Sequence, residues 1–129
     1  DDQTLKDLLT EENITQSVYP KWIPEGYTFF ESKAFPNDDD PLFIAKYKSE
    51  SSEKPITVSV TVYSEPEGSW IEKDEGDVAI YVKNDIEHYI MSNNSLLVSA
   101  WFIDNMECSI YGEISEADMR MMIDSIYEE

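Results

Sequence analysis

"ITVSVTVY" (residues 56–63) decides the fold class. Ile56, Val58, Val60 and Val62 fall on one side of the run, and Thr57, Ser59, Thr61 and Tyr63 on the other. That is the period of two required of a strand with one buried face. Its many β-branched residues favour the same assignment, because their stiff side chains suit a pleated surface.

Toward the N-terminus, Leu42 to Lys48 reads as a neighbouring strand with "SESSEKP" (residues 49–55) as its exit loop. A first strand starts after Gly26, where Tyr27, Phe29 and Glu31 alternate with Thr28, Phe30 and Ser32, and it ends at the polar "PNDDDP" (residues 36–41). Ahead of it, Pro20 and Pro24 bracket Trp22 and Ile23. Two fixed φ angles make this a stiff arm that presses its apolar residues onto a core at small entropic cost. Leu5, Leu8 and Leu9, spaced for a helix behind Thr4, predict a short N-terminal helix that fades at Glu12 and Asn13.

Toward the C-terminus, an acidic stretch between Ser64 and Asp77 holds an isolated Trp70 and Ile71, either on a surface excursion or on a short edge element. Val78 to Val82 and Ile86 to Met91 read as strands joined by a tight turn near Lys83-Asn84-Asp85. Leu96 to Ile103, apolar on both faces, is expected to be a central strand covered on both sides, and Met106 to Gly112 the last strand. Ser115, with Asp118 three residues on, starts a helix whose apolar face is Met119, Met122, Ile123 and Ile126, with Arg120 and Asp124 four apart on its outside.

Hairpin-linked strands with helices only at the ends predict an α+β fold: an antiparallel sheet of about six or seven strands, with an N-terminal helix and a C-terminal amphipathic helix packed on it. One domain over residues 1–129 is expected, divided into a helical segment (1–18), the proline clamp and sheet (19–112) and the closing helix (115–128).

Charge and composition exclude several functions. Nine Lys and Arg against 28 Asp and Glu give a net charge of −19, a field that repels nucleic acid and anionic membrane surfaces. Four scattered glycines, Gly26, Gly68, Gly76 and Gly112, form neither a dinucleotide fingerprint nor a phosphate loop. The longest nearly apolar stretch, Leu96 to Ile103, is far short of the ~20 residues of a membrane span. The chain begins at Asp1 rather than Met, which raises the expectation of a trimmed upstream signal peptide or anchor.

Candidate chemistry is sparse. His88 and Cys108 are each single, too few for a four-ligand zinc site, and Cys108 shares its strand face with Met106 and Ile110 as a core side chain would. "NDDDP" (residues 37–41) and "EKDEGD" (residues 72–77) offer oxygen ligands but lack the spacing of a Ca²⁺ loop, and they read as solvated acidic loops. No catalytic, cofactor or metal site is expected. Trp22, Tyr27 and Trp70 are the candidates for an interaction surface, Trp70 because it is an aromatic amid charge.

"PKWIPEGY" (residues 20–27), the strand bearing Trp101 and "CSIYGEISEADMRMMIDSIY" (residues 108–127), in that order, resemble the bacterial domain-of-unknown-function family 4367. The resemblance covers about Tyr19 to Tyr127, and "SEADM" (residues 115–119) departs mildly from the family's usual Glu-Glu-Leu while keeping the helix cap. It implies an extracytoplasmic domain C-terminal to a membrane-spanning helix in Gram-positive bacteria, in some members the sensor part of anti-sigma-factor-like proteins. It supplies no catalytic residues. The expected function is therefore a non-enzymatic interaction or sensory domain with a protein or peptide partner. The membrane would be met only through an anchor upstream of Asp1. The alternative is a small carboxylate-dependent hydrolase acting on cell-wall or glycan material.

Overall fold

A computed structural model of the chain describes residues 5–11, 14, 18–35, 41–50, 52–62, 78–93, 96–103 and 105–127. In chain order these hold α1 (Leu5–Glu11), β1 (Tyr27–Phe35), β2 (Leu42–Ser49), β3 (Ser52–Val62), β4 (Val78–Lys83), β5 (Ile86–Asn93), β6 (Leu96–Ile103), β7 (Met106–Gly112) and α2 (Glu116–Ile126). The seven strands form one sheet in the order β1-β2-β3-β7-β6-β5-β4, and every neighbouring pair is antiparallel. Two meanders, β1 to β3 and β4 to β7, thus meet along β3 and β7. Among the described residues the edges are β1 and β4, and the predicted α+β architecture is the one observed.

Register places the main core cluster on one face, with only Met91 and Ala100 among the described buried apolar residues on the other. Val60 lies between Phe43 and Cys108, and Cys108 pairs onward with Trp101, so one row of the sheet carries four buried side chains across four strands. Ile56, Val58 and Val60 are fully buried, as the alternation of residues 56–63 requires. α1 lies over β1 and β2 and brings Leu5, Leu8 and Leu9 into this core; α2 lies over β4 and β6 and brings Met119, Met122, Ile123 and Ile126. Each such side chain contributes on the order of 1.5–3 kcal/mol by leaving water. Gly112 suits the close passage of β7 by β3, because a Cβ there would sit 3.0 Å from Ile56 Cγ1 and 3.3 Å from its Cα, tighter than ordinary contact.

α2 starts where its cap was predicted. The Asp118 N–H donates to Ser115 Oγ at 3.1 Å, and Glu116 and Asp118 place negative charge at the positive end of the helix. The hairpin turn is also as read: Asn84 and Asp85 both have positive φ, 57° and 63°, the geometry of a two-residue turn that Asn and Asp tolerate.

Four local expectations need correction. In β1 the register shifts between Phe29 and Glu31, so the core side passes from Tyr27 and Phe29 to Ser32 and Ala34 rather than to Glu31. A bulge inserts one residue and reverses the parity of all that follow. "SESSEKP" is mostly strand, since Ser49 pairs with Ser52; Pro55 is accommodated because the β2–β3 register is irregular between Tyr47 and Ser49. β6 is interior but third from an edge, and its second face, Leu96, Val98 and Phe102, is half-buried rather than covered. Arg120 and Asp124 do not pair: Arg120 meets Glu116 at 2.8 Å, and Asp124 turns to β4.

Candidate interaction surface

The C-terminal end of α2 is tied down on two sides. Toward the clamp, the backbone N–H groups of Lys21 and Trp22 both donate to Ser125 Oγ, at 2.9 and 3.0 Å, while that hydroxyl donates to the Met122 carbonyl at 2.7 Å. Lys21 Nζ donates to the Ile126 carbonyl at 2.5 Å. α2 has no basic residue in its last turn, so Lys21 supplies from elsewhere the positive charge that its free carbonyls favour. Both prolines of the clamp are buried, and the chain bends at Lys21 between them, so the consecutive N–H groups of Lys21 and Trp22 converge on one acceptor.

Toward the sheet, the Tyr81 hydroxyl donates to Asp124 Oδ1 at 2.5 Å, and Lys83 Nζ lies 3.6 Å from the same carboxylate. This bond raises the Tyr81 phenol above its ordinary value, because the carboxylate opposes a second negative charge beside it. Arg120 stacks over the Tyr81 ring, 5.0 Å from its centroid.

Below them His88 is fully buried, and both of its ring nitrogens are engaged. Nδ1 donates to the Tyr81 carbonyl at 3.0 Å, which can only accept, so Nε2 is the acceptor for the Tyr127 hydroxyl at 2.6 Å. Burial lowers the His88 pKa, and the backbone carbonyls of Tyr81 and Ile86 and the charge of Asp124 act against it. Burial also pushes the Tyr127 phenol up to about 12, with Cys108 adding to the shift. Beside them Ser99 Oγ and Trp101 Nε1 are buried without a hydrogen-bond partner among the described residues. Cys108 is buried and its thiol is pushed up by that burial, so the thiolate a nucleophile needs is suppressed.

The outer surface contrasts with this interior. Among the described residues the large apolar side chains left exposed are Phe30, Phe35, Ile80, Val82, Tyr111 and Met121. All but Met121 belong to strands, and four of the six sit on the edges β1 and β4. Beside β1, Glu31, Lys33, Phe35, Ile44 and Lys46 line a shallow depression of about 80 Å³. Beside β4, Val82, Asp85, Ile86, Glu87, Tyr89 and Phe102 line an open one of about 520 Å³. In it the Tyr89 hydroxyl donates to Glu87 Oε1 at 3.1 Å. In the middle of the same face Ser59 and Ser109, directly opposite in register, join their hydroxyls at 2.6 Å.

Trp22 and Tyr27, two of the predicted contact residues, are half-buried and pack against the core. Trp70 lies outside the described residues, as do "NDDD" (residues 37–40) and residues 71–77, and no group of three or more potential metal ligands occurs among those described. Sequence reasoning passed over Ile80, Val82, Asp85 and Glu87. The signal was present for Ile80 and Val82, because Ala79 and Tyr81 already give β4 an inward face and Val78, Ile80 and Val82 add an apolar row on the other side.

These features define a small α+β domain whose His and Cys are committed to its interior and whose apolar exterior lies on open sheet edges. The chain belongs to the Domain of unknown function (DUF4367) family, whose model matches residues 17–126. No curated protein matches it. Among solved structures it is similar to one described as "Crystal structure of MucB in complex with MucA(peri)", at 14% identity and a TM-score of 0.48, covering 86% of this chain and 36% of that one. The chain therefore spans little more than a third of that protein, and the complex is that protein's own. No helix among the described residues is long and apolar enough to cross a membrane.

Proposed function

We propose that this domain binds a protein or peptide partner, without catalysis, as the extracytoplasmic interaction or sensory part of a membrane-tethered bacterial protein of the anti-sigma-factor-like kind. The observation that carries the reading is the separation of its chemistry. His88 and Cys108 are sealed in the core, whereas Phe30, Phe35, Ile80 and Val82 stand exposed along the sheet edges. Exposed apolar side chains grouped on strand edges are the feature through which sheet proteins meet partners. The extracytoplasmic placement and the tether follow from what the family resemblance implies.

Two experiments test the reading. Protease added to intact cells should cleave the domain in its native full-length protein, and protection until lysis would defeat the extracytoplasmic placement. A photo-crosslinking residue at Ile80, Phe35 or Tyr111, on the face away from the helices, should give a discrete adduct in the native envelope at one position at least. Recovery of uncrosslinked protein alone from all three positions would defeat the binding role.

A further inference from the structure

We propose that the β4 edge, with the acidic depression beside it, accepts an extended basic segment of a partner protein as an eighth strand. The inference rests on the binding role above and names the surface and the chemistry of its partner.

Hydrogen-bond parity sets which backbone groups are on offer. In a two-residue hairpin the flanking residues Lys83 and Ile86 exchange both bonds, and pairing alternates from there, so Tyr81–His88 and Ala79–Ile90 are the other bonded pairs. The Tyr81 carbonyl facing His88 Nδ1 agrees with this assignment. Ile80 and Val82 therefore point their N–H and C=O groups away from β5, toward the side on which no further strand lies among the described residues. Their side chains are 52% and 59% exposed.

β1, the opposite edge, carries the features that discourage strand addition. It has a bulge at Phe30, Lys33 exposed in the strand, and Lys48 Nζ capping the Phe30 ring at 3.6 Å from its centroid. β4 has no bulge in its pairing, no proline and one lysine, at its end, which is held at Asp124.

Charge selects the occupant. The depression runs inward from Val82 over β5 to Phe102 of β6, so a side chain from an eighth strand reaches it by crossing Val82. Its walls are Val82, Ile86 and Phe102, and the carboxylates of Asp85 and Glu87 form its acidic rim. A lysine or arginine can lay its methylenes along such walls and its charge against such a rim. The chain's net charge of −19 steers a basic segment toward it and opposes a second copy edge to edge. The chain's own residues 63–77, with six acidic residues and one lysine, carry the wrong sign for that rim.

The test uses the 129-residue chain and synthetic seven-residue peptides alternating valine with lysine, with glutamate-for-lysine and alternately N-methylated versions beside them. Hydrogen exchange followed by NMR should show the Ile80 and Val82 amides unprotected in the free protein and protected by the lysine peptide alone. Replacing both carboxylates, Asp85→Asn with Glu87→Gln, should weaken that peptide about tenfold, as the loss of two exposed ion pairs would. Val82→Lys, which keeps the fold and puts a charge on the edge, should abolish the protection.

Amides already protected in the free protein would overturn the proposal. Protection that disappears on dilution would assign the edge to a second copy, and protection that persists would assign it to residues 63–77. Equal binding of the glutamate peptide, or protection elsewhere than β4, would also overturn it. Adducts at Phe35 or Tyr111 alongside a silent β4 would sink the edge and leave the binding role standing.

Discussion

α1 and α2 cover two halves of one sheet face by different means. From α1, what faces β1 and β2 is leucine: Leu5, Leu8 and Leu9. From α2, Met119, Met122, Ile123 and Ile126 do the same over β4 and β6, but Ser125, Asp124 and Tyr127 add bonds to the clamp, to Tyr81 and to His88. Apolar packing stabilises many nearby arrangements, whereas directional bonds from buried groups select one. These bonds fix where α2 sits, in the half that carries the β4 edge.

The largest expected effects do not separate the halves. Leu9→Ala and Met122→Ala should each cost about 2–5 kcal/mol, since both residues are buried in the same cluster and leave a cavity. Denaturant titration of the two variants checks this. If Leu9→Ala cost only a few tenths, α1 would not belong to the cooperative unit and the comparison would fail at its base.

Ser125→Ala comes next and should cost about 1–3 kcal/mol, because one hydroxyl accepts from both the Lys21 and Trp22 N–H groups and its loss leaves them without that partner. Chemical denaturation gives the number, and Ser125→Thr, which keeps the oxygen, should recover part of it. A loss below about 0.3 kcal/mol for Ser125→Ala would mean that the prolines alone hold the clamp.

Acid should then act on the α2 half alone. Burial holds His88 neutral with a folded pKa below its unfolded value of 6.5. The unfolded chain thus binds the proton first, and stability falls as pH drops below about 6.5, by at most ~1.4 kcal/mol per unit, until the folded pKa is passed. The groups facing His88 are the Tyr81 carbonyl from β4, the Ile86 carbonyl from β5, Tyr127 and Asp124 from α2 and its cap, and the Trp101 ring from β6, 5.0 Å away. His88→Phe should flatten this part of the pH–stability curve, and an unchanged slope would assign acid sensitivity to the carboxylates instead.

How much of this could be read in the sequence depends on the range of each cause. Strand periods, the Asn84-Asp85 turn and the Ser115 cap are set by neighbours a few residues apart, and they were legible. The bulge at Phe30 was missed although the adjacent Phe29 and Phe30 interrupt the alternation of aromatic and polar residues there. A doublet alone does not say which side of the strand the following residues take, and that is fixed only in the pairing with β2. Not legible either was the β3–β7 junction, which joins residues about fifty apart such as Ser59 and Ser109. His88 shared parity with Ile86 and Ile90, so its side of the strand was visible. Its partner across the hairpin, Tyr81, also follows once the turn is fixed at two residues. Tyr127 does not follow, since only the docking of α2 brings it to the imidazole.

The smallest effect is the most discriminating. Tyr81→Phe removes the hydroxyl that meets Asp124 but keeps the backbone carbonyl that meets His88 Nδ1. The side-chain bond should be worth about 0.5–1.5 kcal/mol, and Asp124 retains Lys83 at 3.6 Å. Stability at neutral pH should fall by that amount while the decline below pH 6.5 keeps its midpoint, because the groups holding the imidazole are unchanged. If the midpoint moves as well, the surface bond and the buried histidine are one network coupled through the charge of Asp124, and β4 and α2 respond to acid as a unit. In that case the hydrogen exchange of the Ile80 and Val82 amides should accelerate over the same pH range, carrying the acid response out to the sheet edge.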